Sequence, residues 1–355
     1  MYHILFEDGD ARIGQLVLRS GVVHTPFFMP VITRGAEHCR IGPEDYHRLG
    51  AHASDCAAAG TMVGIANSLI CAFDPGTHVA RSGGLRKWLG TTTPLFTDSG
   101  GYQTSAGSSF VVQRRDDGYV FRARWSGEQL HLTPRSSIEL QEALGSDVAM
   151  TLDDMAPYGS DSSTIASSLE RTHAWAKQAI AHRSDSAQLL FGICQGGTDV
   201  LLRKQSASLI DGLGFDGNAI GGIGILRDSE ERLAAVRAAV GALSPARPRY
   251  VMGVGDPADI VRMVGQGIDC FDAAYPTILA LRGLKITDDG LERHGTLDAG
   301  GEDAVRVAAL HNLRYLERLM ADVRQAIRLR RYREFSAAFV ARWYARQPDP
   351  SAYNL

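Results

Sequence analysis

What the chain lacks narrows its chemistry first. Five cysteines, Cys39, Cys56, Cys71, Cys194 and Cys270, are scattered through 355 residues, and no two stand as C-x-x-C. Odd in number and unpaired in spacing, they read as buried small hydrophobes of a reduced, cytoplasmic protein. The N-terminus shows no basic stretch followed by an apolar run, so no signal peptide is expected. No apolar segment approaches the ~20 residues that span a bilayer, which leaves no membrane partner. No G-x-G-x-x-G opens a helix near the N-terminus, which disfavours a dinucleotide-binding open sheet. There is no large excess of charge of one sign: the net charge is -3. Overall charge gives no support for a nucleic-acid binder, though a local basic patch can suffice.

What is present is an ordinary globular composition, 45% hydrophobic and 22% charged. A hairpin is expected first, from YHILFE through DGD to ARIGQLVLRS, and a strand over HTPFFMPVIT. From there a pattern recurs. A short apolar run ends in Gly or Asp, and a longer amphipathic stretch follows. The runs are PLFTDSGG, DVAMTLDD, QLLFGICQGG, NAIGGIG, RYVMGVG and DCFDAAYP. Several following helices carry a start signal: Thr133 before Pro134, Asp228 before Ser229, Asp256 before Pro257.

Strands alternating with helices imply a parallel sheet with helical crossovers. Length and unit count favour a (β/α)8 barrel with an N-terminal hairpin, and an open doubly wound sheet is the rival. One domain is expected over residues 1–355. A helical, arginine-rich C-terminal addition is expected over 302–346, bearing Arg314, Arg318, Arg324, Arg328, Arg330, Arg331 and Arg333. Those arginines suit either a solvated face or a phosphate-binding one.

In a barrel, chemistry sits at the C-terminal ends of the strands. The polar residues there are Asp98, Asp153 with Asp154, Gln195 and Asp272. Taken singly, each aspartate can be a helix cap. As a set, carboxylates converging on one mouth bind metal, share protons or accept hydrogen bonds from a ligand rich in donors. Neither His nor Cys accompanies them, so metal is weakly supported.

At this point the chain resembles the tRNA-guanine transglycosylases, or queuine tRNA-ribosyltransferases. The likeness runs through TPFFMPV (25–31), DPGTHVARSGGLRKWLG (74–90), PLFTDSGGYQ (94–103), LTPRSSIELQEALGSDVAM (132–150), LFGICQGG (190–197), AIGGIG (219–224), RYVMGVGDPADIV (249–261), DCFDAAYPT (269–277) and HNLRYLERLMADVRQAI (311–327). The resemblance implies a base-exchange pentosyltransferase that replaces guanine by a 7-deazaguanine-type base in the queuosine system, with tRNA as partner. Asp272 matches the nucleophile at the ribose C1′, and Asp98 the general acid/base. Asp153, Gln195, Gly222 and Ile223 match the groups that read the base edge. Tyr102 and Met252 match the pair that sandwiches the base.

Two departures from the family accompany the likeness. The family's zinc site, a C-x-C-x-x-C cluster with a downstream His, has no cysteine here, in LKITDDGLERHGTLDAGGEDAV (284–305). Only His311, with His294 nearby in sequence, remains, and no cofactor is expected. After the nucleophile, Ile278 and Leu281 stand where the family has RNA-facing arginines, with Arg282 alone beside them. The segment IANSLICAFDPG (65–76) also differs from the family's run. Hence two alternatives stay open: the same chemistry on DNA or a free nucleoside, and a non-catalytic partner subunit. Family dimers form around the zinc region, so any homodimer is expected to be weak or differently arranged.

Overall fold

Eight short segments, apolar on both faces, pair in parallel and close on themselves. The structure is a computed structural model, and it describes residues 1–32, 59–73, 76–104, 110–293 and 301–345. An antiparallel sheet comes first: β1 (Tyr2–Asp8), β2 (Ala11–Leu18) and β3 (Gly21–His24). The barrel begins with β4 (Phe27–Pro30), β5 (Gly64–Asn67) and β6 (Leu95–Asp98). A second antiparallel sheet is inserted: β7 (Phe110–Arg115), β8 (Gly118–Ala123) and β9 (Gln129–Leu132). The barrel resumes with β10 (Val148–Met150), β11 (Leu189–Cys194), β12 (Gly217–Ile220), β13 (Arg249–Val251) and β14 (Cys270–Ala273), and a hairpin of β15 (Leu284–Thr287) and β16 (Gly290–Arg293) follows. The helices are α1 (Ser68–Phe73), α2 (Thr77–Arg81), α3 (Leu85–Leu89), α4 (Pro134–Leu144), α5 (Ser162–His182), α6 (Val200–Gly212), α7 (Ser229–Val240), α8 (Pro257–Val264), α9 (Tyr275–Leu281), α10 (Gly301–Arg328) and α11 (Tyr332–Ala345).

The strand order is β4-β14-β13-β12-β11-β10-β6-β5. A parallel bridge between Val31 and Ile65, with the Ile32 N–H donating to the Ile65 carbonyl at 2.8 Å, joins the two ends. The open-sheet alternative is thereby set aside. The helices start as their sequences dictate. Thr133 and Ser136 form a reciprocal capping box, and Asp228 and Asp256 accept backbone N–H groups of α7 and α8. Asp161 and Asp199 cap α5 and α6 in the same way. Cys71, Cys194 and Cys270 are buried and form no disulfide with one another, while Cys39 and Cys56 lie outside the described residues.

Aromatic rings fill the barrel. Phe96 meets Phe27, Phe191 and Tyr250 edge-on, at centroid distances of 6.0, 5.7 and 6.2 Å. Gly217 makes room for this layer, because a Cβ there would lie 2.4 Å from the Phe191 ring. The β1–β3 sheet plugs the lower end. There Asp269, just before β14 and fully buried, accepts from Arg12 Nε at 3.0 Å, from the Tyr2 hydroxyl at 2.6 Å and from the Arg249 N–H at 2.8 Å. The β7–β9 sheet was not foreseen in the sequence. It is held to the barrel by Tyr119, whose hydroxyl donates to Asp154 at 2.6 Å.

Helix α10 runs against the barrel from mouth to base. Near the mouth, Asn312 Nδ2 donates to the Pro276 carbonyl at 3.0 Å. Near the base, Arg324 donates to the Pro26 carbonyl and Arg328 lies over the Phe6 ring. The Tyr332 N–H, at the start of α11, donates to Asp8 at 2.7 Å. Of the arginines in this region, Arg324, Arg328, Arg330, Arg331 and Arg333 therefore belong to the closed end. Arg314 and Arg318 lie earlier on α10, toward the mouth, and Arg318 pairs with Asp288 at 3.1 Å. Arg346 lies outside the described residues.

The plug gives a stability test. Replacing Arg12 by Met leaves the Asp269 charge buried without its cation. Breaking a buried pair on one side costs about 3–5 kcal/mol. The midpoint of urea unfolding should fall accordingly, and an unchanged midpoint would refute this role for the pair.

Candidate active site

Each barrel strand delivers its last residues to one rim, so the site is built strand by strand. Asp98 closes β6. Its Oδ1 accepts the Gly100 N–H at 2.9 Å, and its Oδ2 accepts from Asn67 Nδ2 at 3.2 Å. Gly100 has φ +85 and a Cβ there would strike Leu69 at 2.5 Å, so the turn that donates to Asp98 requires glycine. Asn67, at the end of β5, also donates to Gln103 at 2.7 Å and accepts the Ile70 N–H at 2.8 Å. Burial pushes the Asp98 carboxyl up to about 7. The negative charges of Asp272 and Asp153 push the same way, against the bonds from Gly100 and Asn67.

Asp272, on β14, faces Asp98 across the mouth. Its Oδ1 accepts the Tyr250 hydroxyl at 2.6 Å and the Gly253 N–H at 2.8 Å. Burial raises its carboxyl above the ordinary value, and those two bonds oppose the rise. Asp153, just past β10, accepts from Gln195 Nε2 at 2.6 Å, and burial lifts it to about 6. Gly101 lets the chain close on it, since a Cβ there would sit 2.6 Å from Asp153 Oδ1.

The Gln195 amide packs on bare backbone. A Cβ on Gly221 or Gly222 would meet it at 2.4 or 2.6 Å. Gly222 has φ +72, and its N–H has no acceptor among the described residues. Ile223 is buried, Met252 packs partly buried against the barrel core, and Tyr102 stands exposed on the short turn Gly101–Thr104. Met252 adjoins the Gly253 N–H that holds Asp272, and Tyr102 adjoins the glycine that abuts Asp153. An open cleft leads outward from Gln195 and Gly222 between Pro157, Tyr158, Ile225 and Leu226.

One strand-end residue does not join the mouth. Asp154 is fully buried on the far side of its strand. It accepts from the Tyr119 hydroxyl and Arg171 Nε, each at 2.6 Å, and pairs with Arg114 at 3.0 Å. Successive residues of an extended chain point to opposite faces, so Asp153 and Asp154 could not both face the ligand. Tyr250 and Asn67 escaped the sequence reading. A tyrosine in a fully buried strand was the available signal, because its hydroxyl must find a partner.

The stretch that matches the family's zinc region, residues 284–305, carries no cysteine. Among the described residues, no three of His, Cys, Asp and Glu cluster to hold an ion. The His311 ring is engaged with the Ile286 carbonyl at 2.9 Å. Beside it, buried Asn312 accepts the Ile286 N–H at 2.8 Å and donates to Leu284 and Pro276 carbonyls at 3.1 and 3.0 Å. Asn312 thus ties β15, α9 and α10 together. His294 lies outside the described residues. On α9, Ile278 and Leu281 are half-buried and Arg282 is exposed.

Comparison with known proteins agrees with this geometry. The family model described as queuine tRNA-ribosyltransferase matches residues 8–300. A queuine tRNA-ribosyltransferase of Thermus thermophilus is 36% identical, over 96% of this chain and 94% of its own. That of Thiobacillus denitrificans is 34% identical, over 96% and 98%, and that of Zymomonas mobilis 33%, over 97% and 96%. With these motifs on the rim of such a barrel, the chain belongs to the queuine tRNA-ribosyltransferase family, a family of pentosyltransferase enzymes.

Proposed function

We propose that this protein exchanges guanine in tRNA for a 7-deazaguanine-type base through a glycosyl-aspartate intermediate. The observation that carries the reading is the pair Asp98 and Asp272, two carboxylates of one mouth in different environments. Asp272 is oriented by Tyr250 and Gly253 and attacks the ribose C1′. The C1′–N bond breaks, and its electron pair leaves with guanine. Asp98, partly protonated near neutrality, gives that base a proton. The incoming base returns a proton to Asp98 and its nitrogen attacks C1′. Asp272 is released and the configuration is retained. Asp153 accepts the N–H groups of the base edge, and the donors at Gln195 and Gly222 suit its carbonyl oxygen. The cleft past Tyr158 and Ile225 is open for a 7-substituent.

A second reading is favoured by Ile278 and Leu281. Apolar residues on α9 cannot neutralise phosphates, so the acceptor of the same chemistry becomes a free nucleoside, or DNA whose backbone is met by other residues. We also propose that the Asn312 and His311 contacts replace the family's zinc, and that the protein works in the cytoplasm. Among the described residues no helix is long and apolar enough to cross a membrane.

The deciding experiment supplies labelled guanine with tRNA, duplex DNA and guanosine in parallel. Label in tRNA is expected. Label only in DNA or guanosine assigns the second reading, and label in none points to a non-catalytic subunit. Asp272→Asn should lower exchange by on the order of 10⁴ or more, and undiminished exchange in that variant removes the nucleophile assignment. Because Asp98 must be protonated to release the base, that step should slow as pH rises through about 7. A release rate flat from about pH 6 to 9 would contradict this role. EDTA should leave the melting temperature unchanged and elemental analysis should find no stoichiometric zinc, whereas a marked drop would show a metal in the fold.

A further inference from the structure

Arg203, on α6, is fully buried and takes no part in the steps above. No carboxylate pairs with it among the described residues. A guanidinium without a counter-ion is costly to bury unless its surroundings use its charge. Here they are carbonyl oxygens of the base-reading loops. Nη1 donates to the Gly221 carbonyl at 2.8 Å and to the Cys194 carbonyl at 3.3 Å, and Nη2 donates to the Gly197 carbonyl at 2.8 Å. Gly196 lies on the Arg203 backbone, where a Cβ would come within 2.6 Å of its Cα. Its charge is thus fixed directly beneath Gln195, Gly221 and Gly222.

The Gly221 carbonyl and the Gly222 N–H are two ends of one peptide group. A cation bound to the oxygen draws electron density from the nitrogen, which makes the N–H a stronger donor. Such hydrogen bonds reinforce one another, most of all in a site of low dielectric. That N–H has no acceptor among the described residues, and it adjoins the Gln195 amide. Beside the acceptor Asp153, this donor pair complements a base edge that carries a carbonyl oxygen next to N–H groups. As the C1′–N bond breaks, negative charge spreads onto that oxygen, where a stronger donor counts most.

We infer that Arg203 is a positioning residue that polarises the Gly221–Gly222 peptide and strengthens its hold on the carbonyl oxygen of the bound base. The inference rests on the base-exchange reading and adds to it a residue that never touches the base. Arg203 also orders the 194–197 loop, so loss of binding alone would not separate polarisation from scaffolding.

The test crosses a change in the protein with a change in the ligand. Guanine and 6-thioguanine share the N–H groups that Asp153 meets, but sulfur is a much weaker acceptor than oxygen. Their affinities are measured by calorimetry for the wild type, Arg203→Lys and Arg203→Met, with melting temperatures alongside. Arg203→Met should weaken guanine by about tenfold and 6-thioguanine far less, so that the wild-type preference for oxygen collapses. Arg203→Lys, which keeps the charge, should retain part of that preference, and it carries the test if the Met variant does not fold. Equal weakening of both bases, or none, overturns polarisation while leaving base exchange standing. Failure of the wild type to bind guanine at all removes the base-exchange reading, and this inference with it.

Discussion

Desolvation of three carboxylates in one barrel mouth is the constraint around which the rest of the site is arranged. Asp153 is buried and Asp98 and Asp272 are half-buried, close enough for Asp98 to feel both of the others, and desolvation raises all three. Such a group survives only where fixed donors share the load. Those donors are the Gly100 and Gly253 N–H groups, the Asn67 and Gln195 amides and the Tyr250 hydroxyl. They are unequally distributed, and this inequality gives chemically identical side chains different electrostatic environments.

Tyr250 connects this electrostatic problem to the packing of the barrel. Its ring belongs to the aromatic layer around Phe96, while its hydroxyl reaches Asp272. The position of the Asp272 Oδ1 is therefore set by close-packed rings, which move little. Below that layer, the Arg12 and Asp269 pair fastens the N-terminal sheet across the closed end. Among the described residues, the barrel is thus sealed at the end opposite the carboxylates.

The departures from the family concentrate beside the barrel. Where the family has a zinc cluster, one buried asparagine satisfies three backbone groups on β15 and α9. Where it has arginines facing RNA, α9 turns Ile278 and Leu281 outward, half-buried. The mouth carries the residues that match the family's motifs, while α9 beside it carries Ile278 and Leu281. Most arginines of the C-terminal helices lie at the opposite end from that mouth, because a helix of 28 residues spans the barrel's full height.

The sequence by itself determined the N-terminal hairpin, the six strand and helix units from PLFTDSGG to DCFDAAYP, the caps at Thr133, Asp228 and Asp256, and the rim positions of Asp98, Asp153, Gln195 and Asp272. These follow from local periodicity and from the rule that a parallel barrel presents its strand ends on one side. It did not determine which strand-end carboxylate turns inward. Asp153 and Asp154 are neighbours with the same chemistry, and only pairing with β11 and burial against Tyr119 decided between them. Nor did it reveal the Tyr250 bond, the Asn312 tie or the Arg203 contacts with three carbonyls. Each joins residues distant in sequence or supplied by different loops, and no local pattern encodes a contact that exists only once the barrel has closed.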